Sequence, residues 1–446
     1  MLLKFRKLHS SNHIMGEKTI TTENQPALVT KHEQILDIID GVLTNSSALG
    51  ITKQYTEDES YDGRIITLKG KQLINFGSCS YLGLEMDERL INASIDAVKR
   101  YGTQYSSSRA YVSCGLYTEL EHLLGKIFNG YVNISHSTTL GHISNIPVLV
   151  GDNDAVILDS QVHDSVQTAV QLLKARGVQI DLLRHNRIDI LEDRVKELVG
   201  KYNKIWYFAD GVYSMYGDFA PMEDVTALLN KYDQLNLYID DAHGMSWCGP
   251  RGAGYVASQL TNHPQLFLTT SLAKAFGACG GVMVYNDERT RDRVRNCGGT
   301  FIFSGPIQPS VLGSAIESAK IHLTDEIYVK QNLLQDKINY FNRRCRELGL
   351  PIINETNSPI FFIGVGQPGT GYNMVKRLLN LGFFINISVF PSVSYNRTGL
   401  RIPITLHHTT EDIERLLTAV AEQLPFALAD TGLTMADIYK AFKLKK

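Results

Sequence analysis

Between Tyr131 and Tyr285 short apolar runs recur at regular intervals, and most lead into a stretch with apolar residues every three or four positions. The runs are Tyr131–Ile134, Ala155–Leu158, Ile180–Leu183, Ile205–Ala209, Leu235–Ile239, Leu266–Thr270 and Gly281–Tyr285. Amphipathic spacing predicts helices over Gly141–Val150, Ser165–Ala175, Ile190–Leu198, Met222–Lys231 and Asp287–Arg295. Strands buried on both faces read as continuous apolar runs, and parallel strands require long crossovers. The alternation therefore predicts an α/β fold: a mostly parallel seven-stranded sheet sandwiched by helices. Ligands of such sheets sit beyond the carboxyl ends of the strands. The residues to inspect are thus Thr138, Thr139, His163, Asp210, Ser214, Asp240, His243, Ser271 and Lys274.

The flanks have a different texture. Residues 1–30 are polar and irregular and read as a loose arm, with a helix expected over His32–Val42 and a hairpin over Ile65–Phe76. Helical spacing returns at Asp87–Tyr101, and Thr118 with Glu121 suggests a capping box opening a helix through Phe128. Past Ser304, helices at about Pro309–Leu323 and Ile327–Leu348 lead to strands at Pro359–Val365, Phe383–Val389 and Leu400–Leu406. A helix over Glu411–Leu424, opened by Thr409 or Thr410, and an amphipathic end at Met435–Lys446 complete the chain. The expected organisation is an arm (1–30), a segment packing with the small domain (31–95), a large domain (96–305) and a small α+β C-terminal domain (306–446).

Forty-six acidic and 44 basic residues nearly balance, which gives no reason to expect nucleic acid as a partner. Six scattered cysteines without a CxxC pair fit free thiols in a reducing cytoplasm and no metal site. No apolar run approaches the roughly 20 residues that span a bilayer. The basic, acid-free start Met1–His9 admits an organelle presequence, a frayed tail, or a true start at Met15.

Two strand ends carry the chemistry. Leu266–Ser271 runs into Leu-Ala-Lys274, and Leu237-Tyr-Ile ends in Asp240-Asp-Ala-His243-Gly. Read alone, Lys274 could be solvated and Asp240-Asp241 could be a loop or a metal site. Together, a lysine desolvated at a strand end and a carboxylate on a neighbouring strand suit pyridoxal 5'-phosphate (PLP). The lysine would form the Schiff base and the carboxylate would face the ring nitrogen.

The ordered motifs go further. Asn75-Phe-Gly-Ser-Cys-Ser-Tyr-Leu-Gly-Leu84, Asp210-Gly-Val-Tyr-Ser-Met-Tyr-Gly-Asp218, Asp240-Asp-Ala-His243-Gly and Ser271-Leu-Ala-Lys274 resemble the α-oxoamine synthases. These are fold-type-I PLP enzymes of the aminotransferase class I/II superfamily. They include 8-amino-7-oxononanoate synthase, 2-amino-3-ketobutyrate CoA ligase and serine palmitoyltransferase. The resemblance covers about residues 73–425. It implies that Lys274 holds PLP and moves the substrate Cα proton, and that Asp240 pairs with the ring nitrogen. His243 and Ser214 would donate to the ring oxygen, and His163 would stack on the ring. Thr138, Thr139 and Ser271 would bind the phosphate, and Ser304 would reach the phosphate of a neighbouring subunit in a homodimer with shared active sites. Arg401 would clamp the amino-acid carboxylate, with Ser80 and Arg109 also on the substrate side.

The implied reaction condenses an amino acid with an acyl-CoA or acyl-carrier thioester to an α-amino ketone, often with decarboxylation. Departures from the family pattern are Tyr105-Ser-Ser-Ser-Arg109-Ala-Tyr111 for a Gly-rich run, Cys79 for an asparagine, and Thr138-Thr139 for a Gly-aromatic pair. They suggest an atypical synthase with a fatty acyl donor. A PLP aminotransferase or aldolase-type enzyme, a silent partner subunit and a non-PLP binding protein are the competing readings.

Overall fold

The computed structural model describes residues 30–444, so all but the last residue of the expected arm, and the final two lysines, lie outside the described residues. The chain begins with α1 (Lys31–Ala48), β1 (Ile65–Leu68), β2 (Lys71–Phe76), α2 (Glu88–Tyr101) and α3 (Leu116–Phe128). The alternating region follows as β3 (Tyr131–Ser135), α4 (Thr138–Leu149), β4 (Ala155–Asp159), α5 (Asp164–Ala175), β5 (Gln179–Leu183) and α6 (Ile188–Leu198). It continues through β6 (Ile205–Asp210), α7 (Met222–Lys231), β7 (Leu235–Asp240), α8 (Tyr255–Gln259), β8 (Leu266–Ser271), β9 (Gly281–Tyr285), α9 (Glu288–Cys297) and α10 (Gly299–Phe303). The remainder is α11 (Pro309–His322), α12 (Glu326–Glu347), β10 (Ile360–Gly366), α13 (Pro368–Asn380), β11 (Phe383–Ser388), β12 (Thr398–Pro403), α14 (Thr410–Ala429) and α15 (Met435–Phe442).

The large sheet has seven strands in the order β3-β9-β8-β7-β6-β4-β5. Only β9 runs against its neighbours. The segment Leu272–Gly280 that joins it to β8 is too short for a crossover, so the chain must turn straight back. Every residue of β4, β6, β7 and β8 is buried, as their unbroken apolar runs require. Asp210 and Asp240 are register partners at the ends of β6 and β7.

A second sheet, β1-β2-β11-β12-β10, joins the N-terminal hairpin to the C-terminal strands through a parallel β2–β11 pair. Its core includes Phe76, Phe361, Ile363 and Ile402 with Ile338 and Phe341 of α12 and Leu416 of α14. The Phe341 and Phe361 rings stack with centroids 3.8 Å apart.

Several local expectations are corrected. The helix through Phe128 begins at Leu116 with Gly115 as its cap, and Thr118 makes no capping box. Glu121 instead binds Arg109 and Arg295. The next helix begins at Thr138, three residues earlier than the spacing suggests, because Ser137 caps it by accepting from the Leu140 amide. Helix α13 is an addition to the elements expected from the sequence: Pro368 at its first position and glycines at 369 and 371 give its opening turn the look of a loop. Helix α14 runs on past Leu424 through Pro425 to Ala429.

Candidate active site

The strand ends close around a cavity of about 180 Å³, lined among others by Ser137, Thr138, Thr139, His163, Asp210, Asp240, His243, Ser271 and Lys274. Residues from five separate stretches of sequence thus meet where the sheet and helices predict a ligand. The cavity can be built up from its two ends.

At one end, Ser137 takes the Leu140 amide, which leaves the Thr138 and Thr139 amides of the first turn of α4 open to a ligand. These amides, the hydroxyls of Thr138 and Thr139 and Ser271 make a donor set for an anion, favoured by the helix dipole. Gly281 keeps this corner tight: a Cβ there would sit 2.6 Å from Thr138 Cα.

Asp240 stands in the floor. Its Oδ1 accepts from the Ala242 amide at 3.0 Å and its Oδ2 pairs with His142 Nε2 at 2.9 Å. The proton positions follow from the neighbours. Tyr238 Oη receives Thr269 Oγ1 at 3.0 Å and Asn145 Nδ2 at 3.4 Å, so its own proton goes to His142 Nδ1, 2.7 Å away. Burial raises the Tyr238 pKa and keeps that proton in place. His142 Nε2 therefore carries hydrogen and donates to Asp240. Burial works against the Asp240 charge, but His142 outweighs it and holds the carboxyl below its usual range.

The next residue behaves in the opposite way. Asp241 is fully buried against Gly211, Gly244 and Gly254, where any Cβ would lie within 2.5 Å of its carboxylate. Its Oδ2 accepts from the Val256 amide at 2.9 Å, and burial pushes its pKa up to about 8. The two adjacent aspartates thus serve different layers, and only Asp240 lines the cavity.

The flanking histidines are held as neutral rings. His243 Nδ1 lies 2.8 Å from Tyr81 Oη. Burial raises the Tyr81 pKa and lowers that of His243, so Tyr81 donates and His243 keeps its hydrogen on Nε2. His163 is fixed through its amide, which donates to Asp210 Oδ1 at 3.0 Å, and through Nδ1, 2.7 Å from Ser165 Oγ. Burial lowers its pKa as well.

Lys274 is partly buried on a tight loop after β8. Hydrogen bonds from Leu272 to Gly280, Ala278 to Leu272 and Gly277 to Lys274 close this loop. Gly277, at φ 79°, is needed there: a Cβ would sit 2.7 Å from the Leu84 carbonyl carbon. This contact seats the lysine loop on the Asn75–Leu84 motif.

The remaining expected site residues lie outside the lining of this cavity. Arg401 Nε donates to the Ser214 carbonyl at 2.7 Å, and its Nη2 lies 3.7 Å from Cys79 Sγ. Ser214 therefore meets Arg401 through its backbone. Ser80 and Ser304 are half-buried. Arg109 is committed elsewhere: it bonds Glu121 at 3.0 Å and stacks 3.7 Å over the Tyr117 ring, leaving its guanidinium little freedom to reach a substrate. Sequence reading missed His142, Tyr238 and the role of Tyr81. The first two had a signal, since His142 is one helical turn from Thr138 and Tyr238 shares a strand face with Asp240.

A second charged cluster steadies the loop after β6. His185 bridges Asp159 (Nδ1–Oδ1 3.1 Å) and Asp218 (Nε2–Oδ2 2.6 Å). Burial opposes its charge, but the two carboxylates outweigh burial and raise its pKa from 6.5 to about 9. A raised histidine pKa stabilises the fold fully below pH 6.5 and loses that contribution as pH rises through about 9. Its full worth is about 3 kcal/mol. Urea unfolding of wild type should therefore weaken across that window, whereas His185→Gln should be less stable at pH 6.5 and nearly flat. Equal slopes for both proteins would contradict the pairing.

The donor set fits PLP. An anion corner of amides and hydroxyls suits its phosphate, a buried carboxylate suits its ring nitrogen, and Lys274 suits its aldehyde.

Comparison with known proteins agrees. The family model described as "Aminotransferase class I and II" matches residues 71–420. The 8-amino-7-oxononanoate synthase of Alkaliphilus metalliredigens is 30% identical over 78% of this chain and 87% of its own length. That of Thermosipho melanesiensis is 30% identical over 80% and 89%. In structure, serine palmitoyltransferase from S. paucimobilis superposes with a TM-score of 0.80 at 24% identity, covering 88% of this chain and 99% of that one. The 8-amino-7-oxononanoate synthase of Francisella tularensis gives 0.66 at 20%, covering 79% and 98%. On the sequence relationship and the cavity together, the chain belongs to the aminotransferase class I and II family, as a PLP-dependent C-acyltransferase of the α-oxoamine synthase type.

Proposed function

We propose that the protein condenses an amino acid with a fatty acyl thioester, the acyl group riding on CoA or a carrier protein, to give an α-amino ketone. The observation that carries this reading is the convergence of Lys274, Asp240 and the Thr138–Ser271 anion corner on one cavity. PLP, when bound, supplies an electron sink for the substrate carbanion. Lys274 would carry the cofactor and, once freed from it, would take the Cα proton of the substrate. Asp240, kept ionised by His142, would hold a proton on the ring nitrogen, and His243 would offer its Nε2–H to the ring oxygen. His163, which lines the cavity, would cover one ring face. In the bond-forming step the amino acid Cα joins the thioester carbonyl carbon and the thiol leaves. The fatty donor is supported by the Tyr105–Tyr111 run that replaces a Gly-rich segment.

Arg401 binds the amino-acid carboxylate. Its position beside Cys79 and the Ser214 carbonyl, half-buried on β12, favours a charge-assisted pair. Arg401→Lys is expected to raise KM for the amino acid by about 10-fold to 100-fold, since a bidentate pair becomes a single contact worth roughly 1.5–3 kcal/mol less. An unchanged KM in steady-state assays would exclude this role.

A homodimer with shared sites, Ser304 reaching the second site, completes the proposal. Its support is two exposed aromatic side chains, Tyr111 (88% exposed) and Phe303 (89%), the latter next to Ser304, on segments joined by the Ser108 Oγ–Ile302 carbonyl bond. Sedimentation would test it, and a monomer at working concentration would exclude it. The reaction is tested by following visible absorbance while glycine, alanine, serine and threonine are added singly. Thiol release is then measured with a panel of acyl-CoAs. An amino acid that shifts the band and releases thiol with long acyl chains is expected. Conversion of the cofactor to its pyridoxamine form by an amino acid, reversed by an α-keto acid and without thiol release, would instead identify an aminotransferase.

A further inference from the structure

Asp210 has been used so far only to fix His163, yet it lines the cavity itself. It lies opposite Asp240 in the β6–β7 register, and the two residues are 3% and 4% exposed. Two carboxylates buried side by side cannot both ionise without a large penalty. What decides between them is the number of donors each receives. Asp240 has two: the Ala242 amide and the His142 Nε2–H that Tyr238 fixes in place. Asp210 has one, the His163 amide on Oδ1, and its Oδ2 has no hydrogen-bond partner among the described residues.

We propose that the pair is divided: Asp240 is the carboxylate, and Asp210 is a neutral carboxylic acid whose O–H is offered to an acceptor oxygen of the bound ligand. His142 and Tyr238 are the positioning residues that set this division. The other groups around Asp210 support it. Burial raises its pKa, the charges of Asp240 on β7 and Asp159 on β4 add to this, and the His163 amide and Lys274 oppose it only in part. The phenols of Tyr207 and Tyr213, both buried with raised pKa values, remain neutral. The cavity would thus present an acid and a base of the same residue type on adjacent strands, with their environments driven apart.

The use of the O–H towards a ligand rests on the cofactor reading, whereas the protonation itself does not. Infrared difference spectra of wild-type minus Asp210→Asn full-length protein test it. A protonated-carboxyl C=O stretch belonging to Asp210 is expected at neutral pH, sensitive to exchange into D2O. In Asp240→Asn the like charge is gone, and the midpoint at which the Asp210 band converts to carboxylate should fall by about one pH unit or more. His142→Phe should move the midpoint in the same direction, because Asp240 without this donor takes up part of the proton and the acid band at neutral pH no longer belongs to Asp210 alone. A carboxylate band for Asp210 at neutral pH in wild type would overturn the proposal, and so would a midpoint unmoved by Asp240→Asn. A colourless protein that keeps the acid band would refute the cofactor reading alone. A coloured protein without the band would refute this inference alone.

Discussion

Lys274→Ala is expected to lower turnover by on the order of 10⁴-fold or more, because in the proposed mechanism one side chain supplies both the covalent anchor and the proton-transfer group. The loss should appear in kcat, with the visible band of lysine-bound cofactor abolished. Folding should be nearly unaffected. Lys274 is partly buried at the cavity mouth and forms no ion pair among the described residues. Its loop is closed by backbone bonds and seated by Gly277 on Leu84, none of which needs the amine. Circular dichroism and thermal unfolding matching wild type, with activity gone, is the expected result. Retained activity would remove Lys274 from the mechanism, and with it the assignment of the cavity.

Asp240→Asn is expected to reduce kcat by roughly 10²-fold to 10³-fold, the scale of losing one well-placed electrostatic contact in a dry site. Asparagine keeps the size and an acceptor oxygen for the Ala242 amide or for His142, but it cannot hold a proton on a ring nitrogen. The amide also brings two donors into a corner where His142 Nε2 already points hydrogen at Oδ2, so cofactor affinity should fall as well. A partial rescue by Asp240→Glu would be informative in the opposite sense. The longer side chain keeps the charge but collides with His142, so rescue should be poor. Asp240→Asn with wild-type kcat would show that the ring nitrogen needs no anionic partner.

Much of the fold was legible before any coordinates. Continuous apolar runs mark doubly covered strands whatever their neighbours, and the runs from Ala155 to Tyr285 define the sheet within a residue or two. Lys274 and Asp240 could be paired in advance because both follow such runs, and parallel strands deliver their ends to one edge. Local capping was less legible. Thr118 and Glu121 satisfied the pattern of a capping box, but Glu121 found two arginines instead. Arg109 belonged in that group, and a sequence motif cannot reveal that a guanidinium is already taken.

The sequence by itself determined the layered α/β architecture, the order of the chemical residues along it and the family, since periodicity and motif are properties of neighbours in the chain. Only the tertiary structure decided which ring nitrogens carry hydrogen and how charge is shared around the cavity. His142 and Asp240 are 98 positions apart, and Tyr81 and His243 are 162 apart. Protonation depends on burial and on the count of donors from distant segments, and these exist only once the strands are side by side.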